Sequence, residues 1–354
     1  MKGLECLPLE ILEHIATYIN DVRSLRHCVK VNKRFYRMLT PKLWHSPRQL
    51  GSAGVYHSGI DLLSQCLTID SNQHHRIDSI PLGHHIRKLE LARNDSVSDF
   101  LLVLALTPQV EELCLDQQQR IRDNDMERLF QLCPQIKTLV ITYIHITDKS
   151  IVSLGVHCRQ LRRLTLAKLN ALTPKTLVAL KGCSLERLRI NHCLELTLTP
   201  DTASHLASFH TLTSLYLQDV NRGVDTEFIR RFIPRANGPA PLCLLKHLSL
   251  TGDANIDDNV MVAFLRAHPQ LQTLSLAHCQ LRDAALDAIA THLPCLTSLR
   301  IDQKDAPSHA MINQVILRCR RLVAVVLCFR NDRAWQVKRM DQAEIRLLRL
   351  VASN

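Results

Sequence analysis

The chain has 354 residues, with 44 Lys and Arg against 33 Asp and Glu and a formal charge of +11. Hydrophobic residues make up 46% and charged residues 22%, which excludes wholesale disorder, and no stretch approaches the roughly 18 uncharged apolar residues of a membrane span. Glu5, Glu10 and Glu13 interrupt the apolar region that a secretory signal needs, so the 13 cysteines are expected as reduced thiols of a cytoplasmic or nuclear protein. The excess positive charge leaves nucleic acid, an acidic membrane surface and an acidic protein open as partners.

Residues 1–50 have helical periodicity. Pro8 stands where a first helical turn tolerates it, and apolar residues follow at Ile11, Leu12, Ile15 and Ile19. Asn20-Asp21 ends this stretch, and Leu25, Cys28, Val29 and Val31 form a second stripe. Phe35, Met38 and Leu39 predict a third helix that stops before Pro41, with Leu43-Trp44 beyond it. A module of about 50 residues is marginal alone, so its outer face is expected to be completed by another protein. Residues 4–48 resemble an F-box, whose pattern begins Leu-Pro, two residues, Ile-Leu and ends Leu-Trp. Leu7, Pro8, Glu10, Ile11, Leu12, Ile15, Leu25, Val31, Phe35, Leu43 and Trp44 carry the match, with Phe35 where the family has Trp. The resemblance implies docking onto the Skp-type adaptor of a cullin–RING (SCF) ubiquitin ligase. It makes Leu7, Pro8, Ile11, Leu12, Ile15, Leu25 and Val31 the adaptor contacts or their supports; the alternative for some of them is the module's own core.

Residues 51–85 form a linker, with Cys66-Leu67-Thr68-Ile69 a candidate degenerate leading strand. From residue 86 to 330 a pattern L-x-x-L-x-L recurs ten times, from Ile86-Leu89-Leu91 to Leu322-Val325-Leu327, at intervals of 24, 26, 25, 24, 27, 33, 26, 25 and 26 residues. That period is the one of leucine-rich repeats, roughly 20–29 residues. The L-x-L part alternates like a strand, and about ten residues later the period becomes helical. Helices are expected to end at Cys133-Pro134, His268-Pro269 and Leu293-Pro294. The expected fold is α/β, a leucine-rich-repeat solenoid of about ten strand–helix units, with a curved parallel sheet inside and helices outside, preceded by the small all-α module. Cys193 and Cys279 stand three residues after the last leucine of their copies, with Asn94 as a substitute, and Cys133, Cys158, Cys183 and Cys319 stand at helix ends. The array is similar in this to the cysteine-containing repeats of F-box proteins. The 33-residue copy holds Pro234, Pro239, Pro241 and Gly238, which predicts a loop, on a binding rim or as a tolerated insertion.

Chemistry is sparse. His157-Cys158, His192-Cys193 and His278-Cys279 are adjacent pairs without zinc-ligand spacing, and phosphate-loop, dinucleotide, zincin and nucleophile-elbow motifs are missing. No cofactor, metal or catalytic residue is assigned, and the chain is expected to be no enzyme. Strand alternation instead selects the residues that face the concave wall. Most are small hydroxyl residues, but Arg163, Arg187, Arg189 and Tyr216 cluster there, with His247 and Arg300 further along. Clustered guanidiniums suit carboxylate or phosphate, which makes these six the substrate-binding candidates. The alternative is a solvated strand face whose arginines pair with Glu186.

Residues 331–354 interleave Val337, Met340, Ile345, Leu347, Leu348 and Leu350 with Arg and Lys, as expected of an amphipathic cap on the array, or else of a substrate-contacting or membrane-surface helix. Charge is distributed unevenly: residues 137–189 hold ten basic and two acidic residues, whereas 51–317 as a whole hold 26 of each. The chain is thus expected to be the substrate-recognition subunit of an SCF ubiquitin ligase, bound to no membrane. The alternatives are an F-box repeat scaffold acting without degradation, and a basic repeat protein that binds acidic ligands or nucleic acid. The last would need charge along a continuous face and is disfavoured by this distribution.

Overall fold

The computed structural model describes residues 7–19, 21–47, 59–74, 80–91, 93, 95–220, 224–234, 240–252, 256–279, 281–331 and 334–351. The chain divides into two compact units, Met1–Val140 and Ile141–Asn354.

The first unit opens with three short helices, α1 (Leu9–Thr17), α2 (Val22–Cys28) and α3 (Lys33–Trp44). Asp21 and Asn32 cap α2 and α3 by accepting the Ser24 and Phe35 amides at 2.7 and 2.9 Å, which supplies partners to otherwise orphaned N–H groups. Ala16, Leu25 and Leu39 form the buried centre, with Ile19, Cys28, Val29, Phe35, Met38 and Leu43 packed around it. Lys42 ties α3 to the end of α1, donating to the Ala16 and Thr17 carbonyls at 2.7 and 3.2 Å. Pro41 does not stop α3, contrary to the sequence expectation. Leu39 and Leu43 lie four residues apart on the face turned to this core, so the packing sustains the helix through the one missing amide hydrogen bond.

The candidate strand at Cys66–Ile69 is also corrected: these residues lie inside a helix, α4 (Gly59–His74). Ile60, Ser64 and Leu67 are its buried positions, and a spacing of four and then three residues is helical. The backbone of β1 (Lys88–Leu91) is tied directly to the helical module, because Arg87 and Lys88 donate to the His45 carbonyl at 3.1 Å. Strand β2 (Glu112–Asp116) pairs with β1 in parallel, behind α5 (Val97–Ala105) and α6 (Asp123–Leu132).

Strand β3 (Thr138–Thr142) straddles the boundary between the units. The second unit continues with α7 (Asp148–His157), β4 (Arg163–Ala167), α8 (Lys175–Ala179), β5 (Arg187–Asn191), α9 (Pro200–Ala207), β6 (Ser214–Gln218) and α10 (Thr226–Arg230). Then come β7 (His247–Thr251), α11 (Asp258–Ala267), β8 (Thr273–Ala277), α12 (Asp283–His292), β9 (Ser298–Gln303), α13 (His309–Arg318) and β10 (Ala324–Asn331). Strands β4 to β10 pair in parallel in chain order. The register lines up the repeat leucines, Leu164, Leu188, Leu215, Leu248, Leu274 and Leu299, and all are buried. Each such side chain contributes about 1.5–3 kcal/mol relative to an exposed one. The fold is a leucine-rich-repeat solenoid.

Each repeat also solves its own helix ends. Thr147, Thr199, Asp225 and Asp257 accept amides of the first turns of α7, α9, α10 and α11. Helices α6, α11 and α12 end at Cys133, His268 and Leu293, each followed by Pro, as the sequence predicts. Gly155 permits close approach of α7 to α8, since a Cβ there would collide with the Ala179 carbonyl. The chain ends with β11 (Ala334–Met340), antiparallel to β10, and α14 (Gln342–Val351). Met340 and Ile345 are buried, and Arg349 donates to the carbonyls of Ile316 and Cys319 at 2.9 and 2.8 Å, beside the end of α13. Among the described residues no helix is long and apolar enough to cross a membrane.

Candidate functional site

Two surfaces carry the sequence-derived candidates. The first is on the helical module. Pro8 is the exposed N-cap of α1 and Leu7 before it is half-buried. Ile11 and Ile15 are 49% and 40% exposed and Val31 61%. Ile11, Ile15 and Tyr18 follow the four-then-three spacing of one helix face, and Leu12, Ala16 and Ile19 repeat it one residue later on the inward face. Leu12 and Leu25 are buried at 2% and 4% exposure; of the seven adaptor candidates these two are supports and not contact residues. Tyr18 on this face of α1 and Tyr36 on α3 are also exposed; both were missed in the sequence although Tyr18 follows the same period.

The second surface is the open face of β4–β9. Three in-register rows make it up. The first runs Arg163, Arg187, Ser214, His247, Thr273, Ser298, the second Thr165, Arg189, Tyr216, Ser249, Ser275, Arg300, and the third starts Ala167, Asn191, Gln218. The structure therefore brings Arg163, Arg187, Arg189, Tyr216 and His247 together on four adjacent strands, and sets Arg300 apart on β9, where it faces Asp302 at 3.9 Å. The anticipated pairing with Glu186 is corrected. That carboxylate sits 3.0 Å from Arg162 Nη1, because the residue before each strand points away from the face that holds Arg163, Arg187 and Arg189. The Arg189 guanidinium instead lies 4.6 Å from the centre of the Tyr216 ring, a cation–π arrangement. Thr273 Oγ1 fixes the His247 ring, 3.1 Å from Nδ1. Partial burial lowers the pKa of His247, with Arg187 and Lys246 adding to the effect. Gln218 donates to the Ser249 hydroxyl at 2.8 Å, and Ser214 and Ser249 are buried beneath their larger neighbours.

A rim at the strand ends was not legible in the sequence. Tyr143, Lys168, His192, Asp219 and His278 each follow a strand with φ between 48 and 58°, a conformation that exposes the side chain at the edge of the face. Lys168 lies over the Tyr143 ring and bonds its hydroxyl, and His192 lies 3.4 Å from Asp219. No side-chain periodicity announces left-handed backbone in non-glycine residues.

The cysteines are structural where they are described as buried. Burial pushes the thiols of Cys133 and Cys279 up to about 12 and that of Cys319 to about 11, the opposite of an activated nucleophile. Cys193 Sγ lies 3.8 Å from the Leu166 carbonyl of the preceding strand. At Gly252 a Cβ would run into the Cys279 sulfur, so thiol and glycine are matched between neighbouring copies. Among the described residues no three His, Cys, Asp or Glu side chains gather as a metal site would require. Asn94 and residues 235–239 of the insertion lie outside the described residues.

Comparison with known proteins supports both halves. Residues 4–52 match the family model of the COS11 F-box domain. The crystal structure of the yeast Rad7–Elc1 complex contains a chain that superposes with a TM-score of 0.51 at 16% identity, over 91% of this chain and 79% of that one. The TLR13–ssRNA13 complex aligns more loosely, with a TM-score of 0.42 at 13% identity, over 70% of this chain and 36% of that one. A comparison with curated proteins finds no match. The chain combines an N-terminal segment that matches an F-box with a leucine-rich-repeat fold.

Proposed function

We propose that the chain is the substrate-recognition subunit of an SCF-type ubiquitin ligase, localised to cytoplasm or nucleus. In this reading the F-box docks on a Skp-type adaptor, and through it on a cullin–RING assembly. The open face of the repeats captures a protein substrate that is acidic or phosphorylated. One observation carries the proposal: a segment matching an F-box presents Pro8, Ile11, Ile15 and Val31 outward while its core is filled by other residues. Apolar side chains clustered on a small module are the anchors a partner pocket takes up. Rad7 is seen in complex with Elc1, which favours an adaptor-bound role for a chain of this fold. The protein itself would perform no bond chemistry; it would hold a substrate near a charged conjugating enzyme and raise the effective concentration of the transfer step.

Coexpression with a Skp-type adaptor tests this. The wild-type chain is expected to co-elute with it, and Ile11→Asp/Ile15→Asp to lose at least a hundredfold in affinity with unchanged thermal melting, because both residues are on the surface. Co-elution of the double variant at wild-type strength would remove this face from the interface. If the adaptor binds but a captured substrate is not turned over when the ligase is reconstituted, the chain is a scaffold and not a degradation receptor.

A further inference from the structure

Strand β11 is the last strand of the sheet and has β10 on one side only. Ala324 donates to the Thr297 carbonyl, so Ala324, Val326 and Cys328 turn their backbone groups to β9, and the alternate residues Val325, Leu327 and Phe329 turn theirs to β11. The register partners of these three are Met340, Lys338 and Gln336. The amides and carbonyls of Val337 and Arg339 therefore point away from β10, and among the described residues no other backbone group meets them. The edge carries no proline and no bulge; only the charges of Lys338 and Arg339 guard it. Helix α14 is open in the same way. Its inner face is fixed by the buried Ile345 and by Arg349, which reaches the carbonyls of Ile316 and Cys319 at the end of α13. Leu347, Leu350 and Val351 lie on the opposite face and are exposed. A terminal repeat keeps an array soluble by turning a polar face outward, and this one turns out leucine and valine. Strand edge and helix face are the two surfaces on which one more strand–helix unit would stack.

We infer that this end of the array is a dimer interface, at which a second copy of the chain pairs its β11 antiparallel with β11 and lays its α14 against α14 about one two-fold axis. Such a contact uses the same surface on both copies, so the strand edge and the helix face are completed together. Charge selects the register. Centred on Val337, the pairing sets Val337 opposite itself, Lys338 opposite Gln336 and Arg339 opposite position 335, with no like charges facing each other. Centred on Lys338, on Arg339 or between them, it would oppose the cations of one copy to those of the other, which is destabilising. The favoured register also joins residues whose backbone groups face the edge, the condition for hydrogen-bonded pairs. An extended segment of another protein would pair with the edge and leave the leucine face of α14 bare; a second copy covers both.

The dimer has a salt signature. Residues 318–354 hold nine Lys and Arg against three Asp and Glu, so two such ends repel at long range. Screening removes that repulsion and leaves the apolar contact, so dimerisation should tighten as salt rises. An anionic lipid surface or an acidic partner at the same place would give the reverse.

The test is sedimentation equilibrium on the full chain, run also on Ile11→Asp/Ile15→Asp so that contacts through the helical module do not score. A monomer–dimer equilibrium that strengthens with salt is expected in both. Leu347→Asp/Leu350→Asp and Val337→Pro should each weaken it at least tenfold; Pro at 337 removes an amide that β10 does not use. Position 336 reports the register. Gln336→Lys sets a like charge opposite Lys338 and should weaken the dimer at least threefold, whereas Gln336→Glu should strengthen it by as much. Gln336 is exposed, so this pair of variants keeps its fold and decides the question even where Val337→Pro unfolds the cap. A monomer at every concentration, a dimer indifferent to Leu347→Asp/Leu350→Asp, or equal behaviour of Gln336→Lys and Gln336→Glu would overturn the inference. So would a monomer that co-sediments with phosphatidylserine vesicles through Leu347 and Leu350, which would make α14 a membrane-surface helix. Adaptor binding plays no part in these readouts, so the receptor reading stands or falls separately.

Discussion

The helical module and the repeat array use apolar residues in opposite ways. In the module three residues, Ala16, Leu25 and Leu39, carry the buried centre, and much of the remaining apolar surface, including Ile11, Ile15, Tyr18, Val31 and Tyr36, is exposed. In the array the repeat leucines are buried copy after copy, and the open face is left to hydroxyls, arginines and histidine. The module thus leaves apolar side chains on its surface, and the array buries its own and leaves polar groups outward. A small core with large exposed apolar area depends on each member, whereas a stacked core shares load between neighbours.

The largest effect on stability should come from the module. Leu25→Ala removes a side chain 4% exposed from a centre of three buried residues, a change that costs about 2–5 kcal/mol. Because the module is marginal, loss of adaptor binding together with a low-temperature melting phase is expected, while the repeats retain their transition. A single unshifted transition by calorimetry would break the contrast drawn here.

A smaller effect is expected at a boundary between repeats. Asp148 Oδ1 accepts the Thr173 amide at 3.0 Å and the Thr176 hydroxyl at 2.6 Å, and its Oδ2 accepts the Thr173 hydroxyl at 2.5 Å. Asp148→Ala leaves three donors from the next copy without this acceptor, and should cost about 1–3 kcal/mol in urea unfolding. An effect confined to α7 and α8 by hydrogen exchange would show that copies couple mainly to their neighbours.

The smallest expected effect is a pH dependence. His268 is buried, with Nδ1 2.8 Å from the Phe264 carbonyl and Nε2 3.0 Å from that of Pro241. Burial lowers its pKa, against the two carbonyls, which raise it. A histidine whose folded pKa lies below its unfolded value binds fewer protons when folded, so its stabilising contribution falls as pH drops through the unfolded value. Wild-type protein should therefore lose more stability between pH 7.5 and 5.5 than His268→Gln does. An identical loss in both would mean that the carbonyls outweigh burial.

The sequence carried the parts of this protein that follow from short-range repetition. The ten copies of L-x-x-L-x-L announced the strands, because two leucines in alternation bury one face of a strand, and the Pro residues at 134, 269 and 294 announced helix ends. Leu7-Pro8 through Leu43-Trp44 was enough to identify the F-box segment that the family comparison matches. The helix at Gly59–His74, the passage of α3 through Pro41 and the hairpin strand β11 were hidden. Each depends on what packs against it, and local propensity competes weakly with packing. The same limit applied to the candidate surfaces. Periodicity placed Arg163, Arg187, Arg189, Tyr216 and His247 on one face. Only the register of β4–β7 put Ser214 between Arg187 and His247, gave Glu186 to Arg162 and set Arg189 over the Tyr216 ring. Sequence determines which side of a strand a residue occupies, because that is a property of two bonds; which residues meet across strands is a property of the stacked copies, decided by tertiary structure.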